Sequence, residues 1–378
     1  MVYLDNAATT PLRAEALEAM LPFLTERFGN PSGGHRVARA ARLAVDEARD
    51  CVAGVLGCEP GEVVFTAGGT EADNLAVLGV VAARGGTAVC PAAEHHAVLH
   101  AVEAVGGTVV GVGPDGAVDL GRLAEVLDRL EDVAVVSAMT ANNELGTLTP
   151  LAEVAAVVAE RAPGAALHTD AVQAAGWCDL GQLAAAADLI SVAAHKLGGP
   201  KGTGCLVVRH GTPLRPVLHG GGQERDRRSG THDVAGIVGF ATALRLAAEE
   251  RDETVARVAG LRDALLARLV AEVGGVVASA PLDRALPGHL HMRIEGCEGE
   301  AMLVLLDDAG VCASAGSACA SGAVEPSHVL LAMGVPKAEA LTSLRLSLGR
   351  TTTAADVAVA AAAVVAAAAR LRAAECGR

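Results

Sequence analysis

The 378-residue sequence has no basic run, no Cys-x-x-Cys pair and no leader-like start. Each absence removes a class of function. Lys and Arg number 30 against 44 Asp and Glu, and the net charge of −14 argues against a surface that binds nucleic acid. The opening MVYLDNAATTP lacks the basic and apolar regions of a signal peptide, so a cytoplasmic location is the expectation. The longest apolar run, 357–369, is short for a bilayer span and rich in alanine, which predicts a packed C-terminal helix and no membrane partner. Nine cysteines, at 51, 58, 90, 178, 205, 297, 312, 319 and 376, form neither a disulfide framework nor a structural zinc motif, and no metal is expected. The glycines at 68–69 belong to neither a GxxxxGK[ST] nor a GxGxxG motif, which removes a P-loop and weakens a dinucleotide site.

What is present is an alternation. Hydrophobic residues make up 51% of the chain and charged ones 20%, enough apolar material for a large folded core. Short apolar strands are predicted at 62–66, 87–90, 108–112, 133–139, 165–169, 189–193 and 204–208. Helices are predicted between them at 70–84, 94–105, 120–130 and 151–161. This pattern predicts an α/β fold with a mainly parallel sheet covered on both faces, whose ligands bind beyond the carboxyl ends of the strands. After the glycine-rich HGGGQERDRRSGT (219–231), one long helix over 234–271 is expected as a connector. A smaller α+β part follows, with strands at 289–294 and 342–347. The expected division is a large domain over 16–255 and a small domain of 1–15 with 256–378, the latter carrying a cysteine loop.

Several residues fall where chemistry should sit. Lys196 ends an apolar run in SVAAHKLGGPKGTG (191–204). It is either a surface lysine in a polar turn or a buried amine that holds a carbonyl cofactor. Asp170, in HTDAVQ, ends a strand where it would cap a helix or pair with a protonated ring nitrogen; Gln173 could reach the same ring. Gly69 and Thr70 open a helix after a strand, as an ordinary cap or as a phosphate cup. His95 follows another strand, suited to stacking on a flat cofactor, to a partly buried structural role or to weak metal ligation. Asn143 lies in a turn where it could donate to a ring oxygen. Cys319, in the small-residue run CASAGSACASG (312–322), is an accessible thiol or a packed turn residue. Arg345, mid-strand in SLRLSLGR, grips a carboxylate, either an internal one or a substrate's.

Taken in order, YLDNAATTP, FGNPSGGH, FTAGGTEADNLAV, EHHAVL, NNELG, HTDAVQ, AHKLGGPKGTG, HGGGQERDRRSGT, SAGSACASG, EPSHVL and LRLSLGR resemble the NifS/IscS-type cysteine desulfurases. The resemblance covers nearly the whole chain. It implies a fold-type-I enzyme dependent on pyridoxal 5′-phosphate (PLP), with a seven-stranded type of sheet. It implies that Lys196 is the Schiff-base lysine and proton carrier. Gly69, Thr70, His195 and Thr231 would form the phosphate site, Thr231 from the second chain of a homodimer. Asp170 would pair with the ring nitrogen, His95 would stack, and Asn143 and Gln173 would bond near the phenolic oxygen. Arg345, with Asn143, would hold the substrate carboxylate. Cys319 would take sulfur from L-cysteine as a persulfide, leaving L-alanine.

Two departures accompany the resemblance. Ala193 stands where relatives commonly carry a serine, which predicts one phosphate hydrogen bond fewer. The chain reaches Arg378 soon after its last helix, so docking of an iron–sulfur scaffold protein by a longer tail is not expected. The sulfur acceptor, a protein or a thiolation enzyme, is left open among iron–sulfur cluster assembly, tRNA, DNA and cofactor sulfuration. Selenocysteine lyase, another PLP lyase or aminotransferase, and a non-enzymatic sulfur-relay scaffold are the competing readings.

Overall fold

The strands of the main sheet are apolar without alternation. VAVVS (Val133–Ser137), LISVA (Leu189–Ala193) and GCLVV (Gly204–Val208) are buried at every residue. Such strands are stable only when helices cover both faces. The structure, a computed structural model, describes residues 1–315 and 325–376. In chain order the strands are β1 (Val2–Tyr3), β2 (Val63–Thr66), β3 (Thr87–Pro91), β4 (Thr108–Val110), β5 (Val133–Ser137) and β6 (Ala166–Asp170). They continue with β7 (Leu189–Ala193), β8 (Gly204–Val208), β9 (Val276–Ala278), β10 (His289–Ile294), β11 (Val311–Cys312) and β12 (Ser343–Ser347).

Seven strands form one sheet in the order β2-β8-β7-β6-β5-β3-β4. The pairs from β7 through β4 are parallel, and β8 runs antiparallel to both β7 and β2. This is the α/β arrangement expected from the sequence. On one face, Gly69–Arg84 and His96–Ala104 pack through Leu75, Val80 and Val98. On the other, Arg36–Leu56, Leu151–Arg161 and Val234–Glu249 pack through Val52, Val154 and Phe240. A second sheet, β12-β10-β9, is antiparallel, and β1 pairs with β11 in parallel. The N-terminal strand thus joins residues more than three hundred positions away.

Two expectations are corrected. The connector is two helices, Val234–Glu249 and Arg251–Val273, broken at Glu250 (φ −90°, ψ 0°). The first packs in the main core and the second, through Val258, Leu265 and Leu269, in the core of the smaller sheet. One straight helix cannot serve both. Arg13 holds the break, bonding both carboxylate oxygens of Glu250 at 3.1 and 2.9 Å. The C-terminal apolar run extends into the helix Ala354–Cys376, and its segment Ala354–Ala374 is long and apolar enough to cross a membrane. Length therefore does not exclude a span here. Packing assigns it instead, because Val357, Ala360, Ala361, Val364 and Ala368 close the core around β10 and β12.

Candidate active site

The parallel strands β3, β5, β6 and β7 end at one edge, and a cavity of about 790 Å³ opens there. Ordinary strand–turn geometry delivers its main groups. β7 ends at Ala193 and passes into the short turn Ala194–Lys196. The Lys196 amine donates to the carbonyls of Ala7 and Ala8 at 2.5 and 2.8 Å. Burial, reinforced by Arg345, lowers its pKa to about 8 against the pull of Asp170 and Asp5. It is not a surface lysine.

Asp170 is the last residue of β6, and its carboxylate accepts the Val172 N–H at 2.8 Å. Burial raises its pKa, while His95 and Lys196 oppose the rise. His95 caps the helix His96–Ala104, its Nδ1 accepting the Ala97 N–H at 3.1 Å. That cap explains why the helix starts two residues later than predicted. It also leaves the proton of the neutral ring on Nε2. Burial first, with Lys196 and the neighbouring histidines, lowers the His95 pKa against the pull of Asp170.

Gln173 donates to the Ala7 carbonyl at 2.9 Å, the same oxygen that receives Lys196. Asn143 lines the cavity with its Oδ1 buried and without a hydrogen-bond partner among the described residues. Gly69 and Thr70 begin the helix Gly69–Arg84 at the cavity wall. A side chain at Gly69 would bring a Cβ within 2.7 Å of Val172 Cγ2, so the close approach needs glycine. Ala193 Cβ lies 3.6 Å from the same point, which places the missing serine position in this wall. The Nδ1 of His195 shares a hydrogen bond with the Thr9 hydroxyl at 3.1 Å. Burial, Lys196 and Lys201 lower its pKa to about 4.

Arg345 enters from β12. It is already paired with Asp5 at 2.8 Å and donates to the Asn143 carbonyl at 3.0 Å, while its Nε has no partner among the described residues. The internal ion pair is therefore present, and of the guanidinium nitrogens only the buried Nε is without a partner among the described residues. Thr231 is exposed and does not line this cavity. Cys319 lies outside the described residues.

Sequence reasoning passed over four buried groups here. Asp73, His95 and Asp170 bring one ligand-type atom each within 4.8 Å of one another, a cluster invisible in the linear spacing because three elements supply it. Three donors of these types could hold a cation, but the cap on Nδ1 leaves His95 an N–H donor, which suits a carboxylate better than a metal. Glu94 is fully buried, accepts the Met139 N–H at 2.5 Å and has a pKa raised to about 8, chiefly by burial. Glu144, raised to about 7 by burial, accepts from the Ser327 hydroxyl at 2.5 Å and so ties the EPSH motif to the NNELG turn. His168 lies beneath the site, between two serines. The signal for Asp73 was available: it sits one helical turn after Thr70 and on the same face.

The comparisons with known proteins agree with this geometry. The aminotransferase class-V family pattern matches residues 2–359. The chain is 46% identical to the IscS-like cysteine desulfurase of Mycobacterium tuberculosis, over 99% of this chain and 98% of that one. A solved NifS-like protein superposes with a TM-score of 0.87 at 36% identity, over 97% of this chain and 98% of that chain. Another solved structure, SspA in complex with cysteine, superposes with a TM-score of 0.80 at 30% identity, over 93% and 100%. Match length, identity and shared architecture lead to one assignment: the chain belongs to the class-V aminotransferases and, within them, is a cysteine desulfurase of the NifS/IscS type, on the fold of the fold-type-I PLP enzymes.

Proposed function

We propose that this cavity binds PLP and L-cysteine and passes the substrate sulfur to Cys319. One observation carries the reading. A lysine amine with its pKa near 8 and a buried carboxylate without a lysine or arginine ion-pair partner among the described residues face the same cavity from adjacent strand ends. The donor set fits the cofactor: Asp170 for the ring nitrogen, Lys196 for the carbonyl carbon, and Gly69, Thr70 and His195 for the phosphate. The first-turn N–H groups of the helix Gly69–Arg84 add a partial positive charge toward that phosphate. Asn143 and Gln173, which line the same cavity, would bond near the phenolic oxygen, and His95 would stack.

When bound, the cofactor supplies an electron sink for charge developing at the substrate Cα. The chain does the rest. Lys196 Nζ removes the Cα proton, a role for which a pKa of about 8 leaves a useful fraction as free amine at neutral pH. Arg345 would hold the substrate carboxylate by sharing or exchanging the bonds it now makes to Asp5 and the Asn143 carbonyl. The thiolate of Cys319 attacks the substrate sulfur. The new S–S bond forms as the C–S bond breaks, so L-cysteine and a thiol become L-alanine and a persulfide. Thr231, exposed and outside this cavity, would complete the phosphate site of a second copy, which supports a homodimer. The persulfide would then be delivered to a sulfur-acceptor protein.

Purified protein given L-cysteine should release alanine and sulfide in equal amounts in the presence of a thiol reductant; a keto acid instead would indicate transamination. The Cys319→Ala variant should keep the visible absorbance of the bound cofactor and lose persulfide formation. Persulfide at the wild-type rate in that variant would remove Cys319 from the mechanism.

A further inference from the structure

Two carboxylates, Asp73 and Asp170, are buried side by side at the floor of the cavity, with one oxygen of each within 4.8 Å of the other. Two anions at that distance in a dry site are costly unless both are compensated. Their surroundings differ. Asp170 receives the Val172 N–H at 2.8 Å and is favoured as an anion by His95 and Lys196. Asp73 has no lysine or arginine ion pair among the described residues, and its Oδ1 has no hydrogen-bond partner among them.

The group nearest to a cation at Asp73 is His168, whose Nε2 lies 3.7 Å away. It is not charged. Its Nδ1 is 2.8 Å from the Ser137 hydroxyl and its Nε2 is 3.0 Å from that of Ser191. Full burial lowers its pKa to about 3. Ser191 in turn faces Asp73 as a hydrogen-bonding group. A neutral His168 fits a directional chain: the Ser137 hydroxyl donates to Nδ1, Nε2–H donates to Ser191, and the Ser191 hydroxyl donates to Asp73. That chain delivers one hydrogen bond to Asp73 and no charge. Of the other ionisable groups near Asp73, Asp170 and Glu94 are carboxyls that oppose its ionisation, and the His95 ring, within 4.8 Å, has its own pKa lowered by burial.

We propose that Asp73 is held as a neutral carboxylic acid, and that its proton is what lets Asp170 remain an anion opposite the cofactor ring nitrogen. Asp73 is thus a positioning residue that acts through Asp170 and does not touch the ring. The serine–histidine–serine chain from β5, β6 and β7 orients it. The inference rests on the assignment of Asp170 above, but the proton itself is a property of the protein without cofactor and can be read there.

The experiment compares wild type with Asp73→Asn, an uncharged side chain of the same shape. The infrared difference spectrum of the two cofactor-free proteins at neutral pH should contain a protonated-carboxyl carbonyl band that shifts in deuterium oxide. Glu94 and Glu144, also raised, cancel in the difference. In the holoprotein, Asp73→Asn should leave PLP affinity within about twofold and the pH midpoint of the visible absorbance within about 0.3 units, because no charge has been removed. Asp170→Asn should change both, because it removes the charge itself. Absence of that band from the wild type, or a midpoint moved by about one unit or more in Asp73→Asn, overturns the proposal. Loss of desulfuration with the band intact would instead count against the functional reading alone.

Discussion

Asp170 and Arg345 are both buried charged groups that face one cavity, but they come from different sheets and stand in different states. Asp170 ends a strand of the seven-stranded sheet and has one backbone N–H on its carboxylate. Arg345 lies in the middle of β12, in the antiparallel sheet, and is already bonded to Asp5 and to the Asn143 carbonyl. The main-sheet edge is therefore a site still short of a cation. The smaller sheet brings a cation that already has an anionic partner. On the proposed reading, a cofactor with a protonated ring nitrogen would complete the first, whereas a substrate carboxylate would share or exchange partners at the second. On that reading the cofactor end would be the more costly to leave open and the substrate end the more readily reversible.

The largest break in that comparison should come from Lys196→Ala. It removes the amine that links the two ends, and turnover should fall by at least about 10²–10⁴-fold, with loss of the lysine-dependent visible absorbance. Stopped-flow alanine release and the spectrum check both. Arg345→Ala should act mainly at the substrate end, with a smaller rise in the Lys196 pKa as the neighbouring positive charge is lost. Loss of about 1.5–3 kcal/mol of charge-assisted hydrogen bonding should raise KM for cysteine about 10- to 100-fold, with the cofactor spectrum retained.

pH sharpens the contrast more gently. Burial depresses the Lys196 pKa from 10.5 to about 8. The free amine is the reactive form, so recombination of cofactor with the cofactor-free protein should accelerate about tenfold from pH 7 to well above pH 8. For the same group, the unfolded chain binds more protons than the folded one between about pH 8 and 10.5. Its contribution to the stability of the cofactor-free protein therefore rises with pH through that window, and denaturant titrations across it measure the sign. The smallest effect is expected from Ala193→Ser. A hydroxyl restored to the wall near Gly69 should slow cofactor loss about 2- to 10-fold, the worth of about 0.5–1.5 kcal/mol. An unchanged rate would place compensation for the missing serine elsewhere in the cup.

Much of the main sheet was legible because its strands are short, apolar and punctuated by turns. β7 and β8 begin and end where the periodicity places them, and so does the helix Leu151–Arg161. The site residues on this sheet were legible for the same reason, since each follows a strand end. The break at Glu250 was not, because helical periodicity runs on through both segments and only the two cores separate them. Nor was the Asp73–Asp170 pair. Nothing in a helix starting at Gly69 states that its second turn will lie over the end of a strand a hundred residues later.

The sequence by itself therefore determined the α/β alternation, the family, and the identities of Lys196, Asp170 and Arg345 as groups that needed partners. Apolar patterning and residue chemistry are local properties, readable without coordinates of any kind. Tertiary structure alone decided which partners they met: the Ala7 and Ala8 carbonyls for Lys196, Asp5 for Arg345, and Asp73 beside Asp170. Each of these contacts joins segments far apart in the chain. Protonation states and ion pairing depend on burial and on distances of a few ångströms, which only packing supplies.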